Sequence, residues 1–335
     1  MRLFILSLFM IIHAIPGFAQ EKGKYYLKWN TDHTERKIEP EFLISDADYN
    51  QHKVYYIERD REGRLETIKF FFYGKPSNAA DFGAHELRIL YFNEKVVRQY
   101  FNVEGQRVSG GAGAYAEIYQ LDSSGFYTRK SYLNAAGEKI ADKYGVADYQ
   151  ILSRDSQGRR VSERHINLSG DVIPDRYNDF LETRFTYDKN DHLKTRAAYD
   201  LQGNRALGGG GYHTAYFWFD KKANFNKEEF RNLEEALVVP NDIHFAKIEF
   251  NNIDDFGRIQ EVRYYGPDNQ LLKDNPAISV LSYDALGRII KRTYHSPDME
   301  LMNNNRGVAT YVYSYKEDKT LNLRQGFDHK GVLIP

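Results

Sequence analysis

Apolar and polar residues alternate along most of this chain in short runs that are separated by turn residues. The stretch Leu281–Ile290 shows the unit, in which apolar residues two apart flank the turn Asp284–Gly287. Positions two apart lie on one face of a strand, so this pattern predicts a strand, a tight turn and a second strand. An Asp at the first turn position bonds to backbone within the turn, and a Gly at the fourth tolerates positive φ.

The turn recurs with a spacing of about 32 residues, and a fixed period in this range is typical of repeat proteins. Full Asp-x-x-Gly copies stand at Asp60–Gly63, Asp122–Gly125, Asp155–Gly158, Asp254–Gly257 and Asp284–Gly287. Degenerate copies stand at Asn93–Val96, Asp188–Asp191, Asp220–Ala223 and Lys316–Lys319.

A second turn follows each first turn and leaves room for one strand of roughly 7–9 residues between them. Its slot is filled by Gly74, Gly105, Gly137, Gly170, Gly203 and Gly331, and elsewhere by Glu235, Asn269 and Asp298. We therefore predict an all-β array of stacked antiparallel β-hairpin repeats that forms one long twisted or coiled sheet. A propeller fits less well, because each of its blades needs about 40–45 residues.

Some positions depart from the repeat. Arg59 and Arg154 stand where other copies carry an apolar residue just before the turn Asp. Asn251 interrupts the apolar pattern three residues before Asp254, which suggests a local bulge. The segment Lys227–Leu237 has helical propensity, but it falls where the other copies have a second strand and turn. We expect the repeat to prevail there, with a short helical insertion as the alternative.

The motif resembles the Rhs/YD-repeat family, named for a Tyr-Asp pair that this chain carries at Tyr187-Asp188 and Tyr283-Asp284. The Gly-Arg pair that often follows is present at Gly63-Arg64, Gly158-Arg159, Gly257-Arg258 and Gly287-Arg288. The resemblance extends from Val54 to the C-terminus. It implies repeats that coil into a shell around a C-terminal toxin, although this chain is short and shows no toxin module. Its Gly-Val-Ala segments are more similar to the looser YD-like repeats of exported bacterial proteins.

The N-terminus carries an export pattern. Arg2 precedes the apolar run Leu3–Ile12, and small residues Gly17 and Ala19 precede a cleavage point. We expect residues 1–19 to be a signal peptide, 20–53 an N-terminal cap and 54–335 the YD-like β-hairpin repeat domain. A retained anchor is the alternative, but the run falls short of the ~18 residues that a span needs. The mature protein is then extracytoplasmic, in the periplasm, at the cell surface or secreted.

The cap is expected to cover the first open strand edge, with residues 25–29 forming one strand. The chain contains no Cys, so an exported fold must be stabilised by packing, and 41% hydrophobic residues support a core. No later apolar segment is long enough to span a membrane, so we do not expect the protein to be an integral membrane protein once the signal peptide is removed. The net charge of −1 without a basic block makes nucleic acid a poor partner.

Motifs of known chemistry are missing from the sequence, so we assign no catalytic, cofactor-binding or metal-ligating residue and expect no cofactor. The histidines are scattered without metal-ligand spacing. The glycine clusters Gly110–Gly113 and Gly208–Gly211 precede strand patterns rather than helices, which favours turns over phosphate loops. The paired carboxylates Asp254-Asp255 are interpreted as a solvated turn.

The 26 tyrosines offer flat rings that either hold the sheet together as rungs or form exposed binding rows. The two clusters to consider are Tyr91, Tyr115, Tyr119, Tyr127, Tyr132 and Tyr149, and later Tyr311, Tyr313 and Tyr315. We interpret most of them as rungs. The expected function is a non-catalytic binding or scaffold module for an envelope protein or polysaccharide. The alternatives are a shortened Rhs-like shell around a partner polypeptide and a glycan-active enzyme.

Overall fold

A computed structural model describes residues 23–31, 38–175 and 179–334. The expected signal peptide, residues 1–19, lies outside these ranges. The described residues form one sheet of 24 strands, all paired antiparallel, and one 3-10 turn at Tyr49–Gln51. This confirms the predicted all-β array of antiparallel hairpins.

The strands are numbered in chain order. They are β1 Lys24–Thr31, β2 Ile38–Ile44, β3 Lys53–Arg59, β4 Leu65–Phe72, β5 Lys75–Pro76, β6 Glu86–Tyr91, β7 Lys95–Phe101, β8 Ala116–Leu121, β9 Tyr127–Leu133, β10 Lys139–Ile140, β11 Asp148–Arg154, β12 Arg160–Ile166, β13 Val172–Ile173, β14 Glu182–Tyr187, β15 Leu193–Tyr199, β16 Thr214–Phe219, β17 Phe225–Arg231, β18 Lys247–Ile253, β19 Ile259–Tyr265, β20 Ile278–Tyr283, β21 Ile289–His295, β22 Thr310–Tyr315, β23 Leu321–Phe327 and β24 Leu333–Ile334.

Each repeat is one long hairpin whose second strand pairs with the first strand of the next hairpin. The hairpins are β3–β4, β6–β7, β8–β9, β11–β12, β14–β15, β16–β17, β18–β19, β20–β21 and β22–β23. The short strands β5, β10, β13 and β24 each fold back on the end of a second strand. Before the first hairpin, β1 pairs with both β2 and β3, and it contains the strand predicted for residues 25–29.

The Asp-x-x-Gly turn closes the hairpins as the sequence predicts. Asp284 Oδ1 accepts hydrogen bonds from the backbone N–H groups of Leu286 at 3.0 Å and Arg288 at 2.9 Å. The Gly287 N–H donates to the Asp284 carbonyl at 3.0 Å, and Gly287 has a φ of 74°. In degenerate copies a non-glycine residue takes this strained position, as Ala223 does with a φ of 62° and Lys319 with a φ of 67°.

Two turn assignments need correction. The expected turn Asn93–Val96 is instead a shorter loop, in which the Phe92 N–H donates to the Lys95 carbonyl at 2.9 Å. Val96 lies in β7 and is buried, because a β-branched residue disfavours the positive φ of the fourth turn position. In the eighth copy Met299, not Asp298, has the positive φ of 65°, since that turn begins at Ser296.

The other expected turns are confirmed. Gly110–Gly113 and Gly208–Gly211 are turns between repeats, each closed by a hydrogen bond from its fourth N–H to its first carbonyl, at 2.8 and 2.9 Å. The segment Lys227–Leu237 continues β17 and then turns back, because pairing with β16 and β18 overrides its weak helical propensity. At the bulge suggested by Asn251, β18 and β19 keep their register, and the irregularity there is the positive φ of 52° at Asn252.

One face of the sheet forms the core. In the first repeats it is apolar and includes the buried residues Ile57, Ile68, Leu87 and Ile89. We call the face that carries these residues the inner face. Further along the chain, tyrosines take over the same positions, and Tyr119 is only 6% exposed. Stacking therefore buries the apolar face that a single hairpin would leave in water.

At four junctions, the tyrosine that ends the first strand of a hairpin and the arginine that follows the turn Gly of the preceding hairpin join the two repeats. The Tyr91 hydroxyl donates to the Leu65 carbonyl of the preceding repeat at 2.8 Å, and the Arg64 guanidinium lies 4.4 Å from the Tyr91 ring centroid. Arg64 also forms an ion pair with Asp60 of its own turn at 2.7 Å. The same tyrosine-to-carbonyl bond recurs from Tyr187 to Arg160, Tyr283 to Ile259 and Tyr315 to Ile289. We call this arrangement the tyrosine staple.

Arg154, which departs from the apolar pattern, makes an equivalent contact. Its guanidinium donates to the Tyr127 carbonyl of the preceding repeat and to the Gly158 carbonyl of its own turn. Tyr127 stands two residues after its turn Gly, as do Leu65 and Ile259, the acceptors of the tyrosine bonds. The arginine therefore replaces the staple tyrosine while keeping the link between repeats.

Removal of one staple hydroxyl should weaken the fold measurably. We expect Tyr91→Phe to lower the free energy of unfolding by about 1 kcal/mol, because one partly buried hydrogen bond is lost. Tyr294→Phe is the matched control, since the Tyr294 ring packs edge-on against Tyr311 without a hydroxyl hydrogen bond to any described residue. Urea unfolding measures both changes, and equal effects of the two substitutions would contradict the role of the staple.

We expect acid to lower the stability of the fold by protonating the turn carboxylates. Burial opposes ionisation of Asp60, Asp155, Asp254 and Asp284, but hydrogen bonds from the following Arg outweigh it and lower the pKa of each carboxyl. A folded-state pKa below the ordinary value of about 3.9 stabilises the fold above that pH. This stabilisation is then lost as the pH falls through the folded-state values.

Urea unfolding between pH 7 and pH 3 should therefore show falling stability below about pH 4. Replacing the four carboxylates by Asn keeps the oxygen that accepts the backbone N–H groups, and Asn232 already occupies one such turn in the native chain. The quadruple Asn variant should show a flatter dependence on pH in this range. An unchanged slope would refute the assignment.

Candidate functional site

The sheet coils until residues from its two ends line one cavity. Leu27 and Phe72 come from the N-terminal strands, and Phe256, Leu286 and Leu321 come from the last three hairpins. The cavity has a volume of about 820 Å³. The two ends of the sheet lie close together at this cavity. Lys28 Nζ is only 3.0 Å from the point where a Cβ atom would stand if Gly257 carried a side chain. We call this cavity the end groove.

The lining of the end groove is strongly basic. It includes five cationic side chains and no carboxylate, the cations being Lys28, Lys53, Arg258, Arg288 and Lys319. Each of the two arginines forms an ion pair with the carboxylate of its own turn, Arg258 with Asp254 and Arg288 with Asp284. The three lysines form no ion pair with any residue in the described part of the chain. The groove therefore carries uncompensated positive charge.

The positive charge of the groove affects the pKa of Lys53, the first residue of β3. Burial lowers the pKa of Lys53, and the positive charge of Arg288 from the other end of the sheet lowers it further. The Lys53 ammonium lies 5.2 Å from the centroid of the Phe72 ring, which gives it a partial electrostatic partner. An anion in the groove would relieve the repulsion between the two cations.

Apolar and aromatic surface surrounds these charges. Phe256 is 46% exposed and Leu321 is 52% exposed, so both present apolar surface to solvent at the groove. The Tyr283 and Tyr315 rings also line it, while their hydroxyls are bound to Ile259 and Ile289 as staples. Rings that are held in this way offer rigid surfaces for a ligand to pack against.

The two tyrosine clusters noted in the sequence lie in different parts of the structure. In the first cluster Tyr119, Tyr127 and Tyr132 are buried rungs of the inner face, as interpreted from the sequence. In the later cluster Tyr313 and Tyr315 lie at the end groove. No local pattern in the sequence indicated that groove, because it joins residues more than 180 positions apart. The relevant signal was only the presence of Lys in otherwise degenerate turns such as Lys316–Lys319.

The histidines and acidic residues do not gather into a metal centre. Within residues 23–31, 38–175 and 179–334, no group of three or more His, Cys, Asp or Glu side chains is placed to hold a metal ion. His85 Nδ1 and His213 Nδ1 each donate to a backbone carbonyl at 2.9 Å, from which we infer structural roles. No helix among the described residues is long and apolar enough to span a membrane.

Comparison with known proteins gives structural similarities only. No protein-family model and no curated protein matches the chain. Among solved structures, it is similar to TcdB2-TccC3-TEV, with 13% identity and a TM-score of 0.31, over 85% of this chain and 13% of that chain. A Photorhabdus luminescens Tc holotoxin pore matches with 11% identity and a TM-score of 0.26, over 87% of this chain and 18% of that one.

A third similar structure is a porin-like protein from Bacteroides uniformis, with 9% identity and a TM-score of 0.23 over 81% of this chain and 88% of that chain. This chain thus spans about an eighth of the length of the TcdB2-TccC3 chain. With all three TM-scores below 0.5, these similarities contribute no argument about function. The chain is a β-hairpin repeat protein by its own sheet topology.

The electrostatics of the groove predict an unusually reactive lysine. Because its pKa is lowered, Lys53 should be acetylated faster at pH 8 than the exposed turn residue Lys189. Arg288→Gln should slow the reaction at Lys53 by removing the neighbouring positive charge. Arg159→Gln is the matched control, since Arg159 makes the same turn ion pair far from the groove. Mass spectrometry of the acetylated sites measures the rates, and equal rates at Lys53 and Lys189 would disprove the prediction.

Proposed function

We propose that this chain is an exported, Rhs/YD-repeat-like protein that acts without catalysis as a binding module of the bacterial envelope. The end groove is the proposed binding surface, and an acidic polysaccharide is the proposed ligand. The observation that carries the proposal is the lining of the groove, with five cations, no carboxylate and exposed apolar surface.

The chemistry of the groove favours a charged glycan over a neutral one. Exposed lysines without carboxylate partners attract polyanions over a distance set by the ionic strength. Aromatic side chains such as Phe256 and Tyr315 can pack against the apolar faces of sugar rings. Cations and rings come from three successive hairpins, so the surface suits a chain better than a single small molecule.

The alternatives have less support. A shell around a partner polypeptide needs an open interior, whereas the first repeats fill their inner face with their own apolar side chains. A partly open cavity that follows on the inner face measures about 270 Å³, which is too small for a polypeptide. A glycan-active enzyme needs a carboxylate at the reacting bond, and the lining of the end groove provides none.

The test is binding of the purified protein to polygalacturonate, with dextran as the neutral control polymer. The wild-type protein should bind polygalacturonate, with an affinity that falls as salt is added. The double substitution Lys53→Glu and Lys319→Glu should lower this affinity at least tenfold. Lys189→Glu, on an exposed turn away from the groove, should leave it unchanged.

Biolayer interferometry with immobilised polymer gives the affinities. Equal binding of dextran and polygalacturonate would reject the role of charge. Binding that is unaffected by the groove substitutions would reject this surface. Thermal unfolding of each variant verifies that its fold is intact before binding is compared.

A further inference from the structure

The inner face of the last two hairpins keeps a cation of the earlier repeats but loses the carboxylate beside it. In β8–β9, Glu117 stands five residues before the turn Asp and Lys130 five residues after the turn Gly. Burial opposes the ionisation of Glu117, but interactions that include the charge of Lys130 outweigh burial and lower the pKa of this carboxyl. In β20–β21 the same two positions hold Ser279 and Arg292. The cation there has a neutral partner, and Arg292 Nε donates to the Ser279 hydroxyl at 2.8 Å.

The last hairpin, β22–β23, shows the same change. Its equivalent positions hold Tyr311 and Arg324. The Arg324 guanidinium lies 5.1 Å from the Tyr311 ring centroid, and the Arg292 guanidinium lies 5.0 Å from that of Tyr294. Among the described residues, neither arginine forms an ion pair with a carboxylate. Rings are weak partners for a cation, so both arginines keep positive charge for a ligand. We call these four residues the arginine face.

Both arginines have N–H groups to offer. Arg324 is exposed, and its guanidinium forms no hydrogen bond with any described residue. Arg292 is half-buried, and its Nη2 lies 3.5 Å from the Tyr264 hydroxyl, while its Nη1 has no hydrogen-bond partner in the described part of the chain. A guanidinium presents two parallel N–H donors to a carboxylate. The carboxylates of a uronic acid polymer therefore match this surface.

The arginine face is continuous with the end groove. Tyr313 lines the groove and stands opposite Arg324 in the pairing of β22 with β23. Burial raises the pKa of the Tyr313 hydroxyl, and the positive charges of Arg292 and Arg324 oppose this rise, so both arginines lie near its ring. A strand rises about 3.3 Å per residue, which places Arg324 roughly 10 Å along β23 from Leu321 of the groove lining. A ligand that contacts both surfaces must therefore be extended, as a polysaccharide chain is.

We propose that an acidic polysaccharide held in the end groove continues onto the arginine face, where Arg292 and Arg324 bind its carboxylates. The ring centroids of Tyr294 and Tyr311 lie 6.3 Å apart, and these rings offer apolar surface to the sugar rings of the polymer. This inference rests on the proposed function, because it starts from a polymer that is bound in the groove. It extends the binding site from the turns of the last hairpins onto the inner face of their strands.

Biolayer interferometry with immobilised polygalacturonate tests the proposal. The double substitution Arg292→Gln and Arg324→Gln should lower the affinity at least tenfold, because two cations that bind carboxylates are lost. Arg107→Gln is the matched control and should leave the affinity unchanged, since Arg107 is also exposed without an ion pair to a described residue but lies outside both surfaces. Arg324→Gln alone keeps the bond from Arg292 to Ser279, so it covers the case in which the double variant does not fold. It should lower the affinity at least threefold.

Chemical modification of the wild-type protein gives an independent measurement. Bound polygalacturonate should slow the reaction of Arg324 with phenylglyoxal and leave that of Arg107 unchanged, as measured by mass spectrometry. Polyglutamate, an acidic polymer without sugar rings, should bind at least tenfold more weakly than polygalacturonate. Unchanged affinity in the arginine variants, unchanged modification of Arg324, or equal binding of polyglutamate would each overturn the proposal.

The groove lysines separate this inference from the proposed function. If the Lys53→Glu and Lys319→Glu variant loses binding while the arginine variants bind as the wild-type protein does, the proposed function stands and the extension onto the arginine face is wrong. If the wild-type protein does not bind polygalacturonate, or if the lysine substitutions have no effect, the proposed function and this inference are both rejected.

Discussion

The Asp-x-x-Gly turn fixes the register of every hairpin that carries it, and the rest of the structure depends on that register. Side chains in a strand alternate between faces, so a slip of one residue would exchange the inner and outer faces. In the turn at Asp284, the carboxylate holds two backbone N–H groups and Gly287 provides the positive φ. The pairing that follows places Leu281 opposite Arg292. Through such pairs, repeated turns keep equivalent side chains of successive repeats on one face over the length of the sheet.

The tyrosine staple extends this order from one hairpin to the next. Backbone pairing alone would leave the turns of neighbouring repeats without side-chain links. The hydroxyl of Tyr315 reaches the Ile289 carbonyl, and Arg288 covers its ring while bound to Asp284. The same arginine therefore stabilises its own turn and the following repeat. The replacement of the tyrosine by Arg154 shows that a hydrogen bond to that carbonyl can be made by a different donor.

The end groove arises where charge is left over after the structural pairs are made. In the end groove the turn carboxylates neutralise Arg258 and Arg288, and the lysines remain uncompensated. On the inner face of the earlier repeats, by contrast, Glu163 neutralises Arg160, and the carboxylates of Glu117, Asp142 and Glu163 lie close enough to Lys130 to interact with its charge. The groove is wide and is contributed by several repeats, so it fits a polymer.

The sequence by itself determined the hairpin unit, its period and most of its turns, because these depend on contacts within a few residues. The sequence also shows that Arg98, Lys130 and Glu163 stand about one repeat apart, although no prediction was made from that spacing. The sequence interpretation failed at Asn93–Val96, because its fourth position is a β-branched Val that disfavours positive φ. Only the tertiary structure decided that Lys53 approaches Arg288. That approach depends on the twist summed over many strand pairs, and no local pattern encodes such a sum.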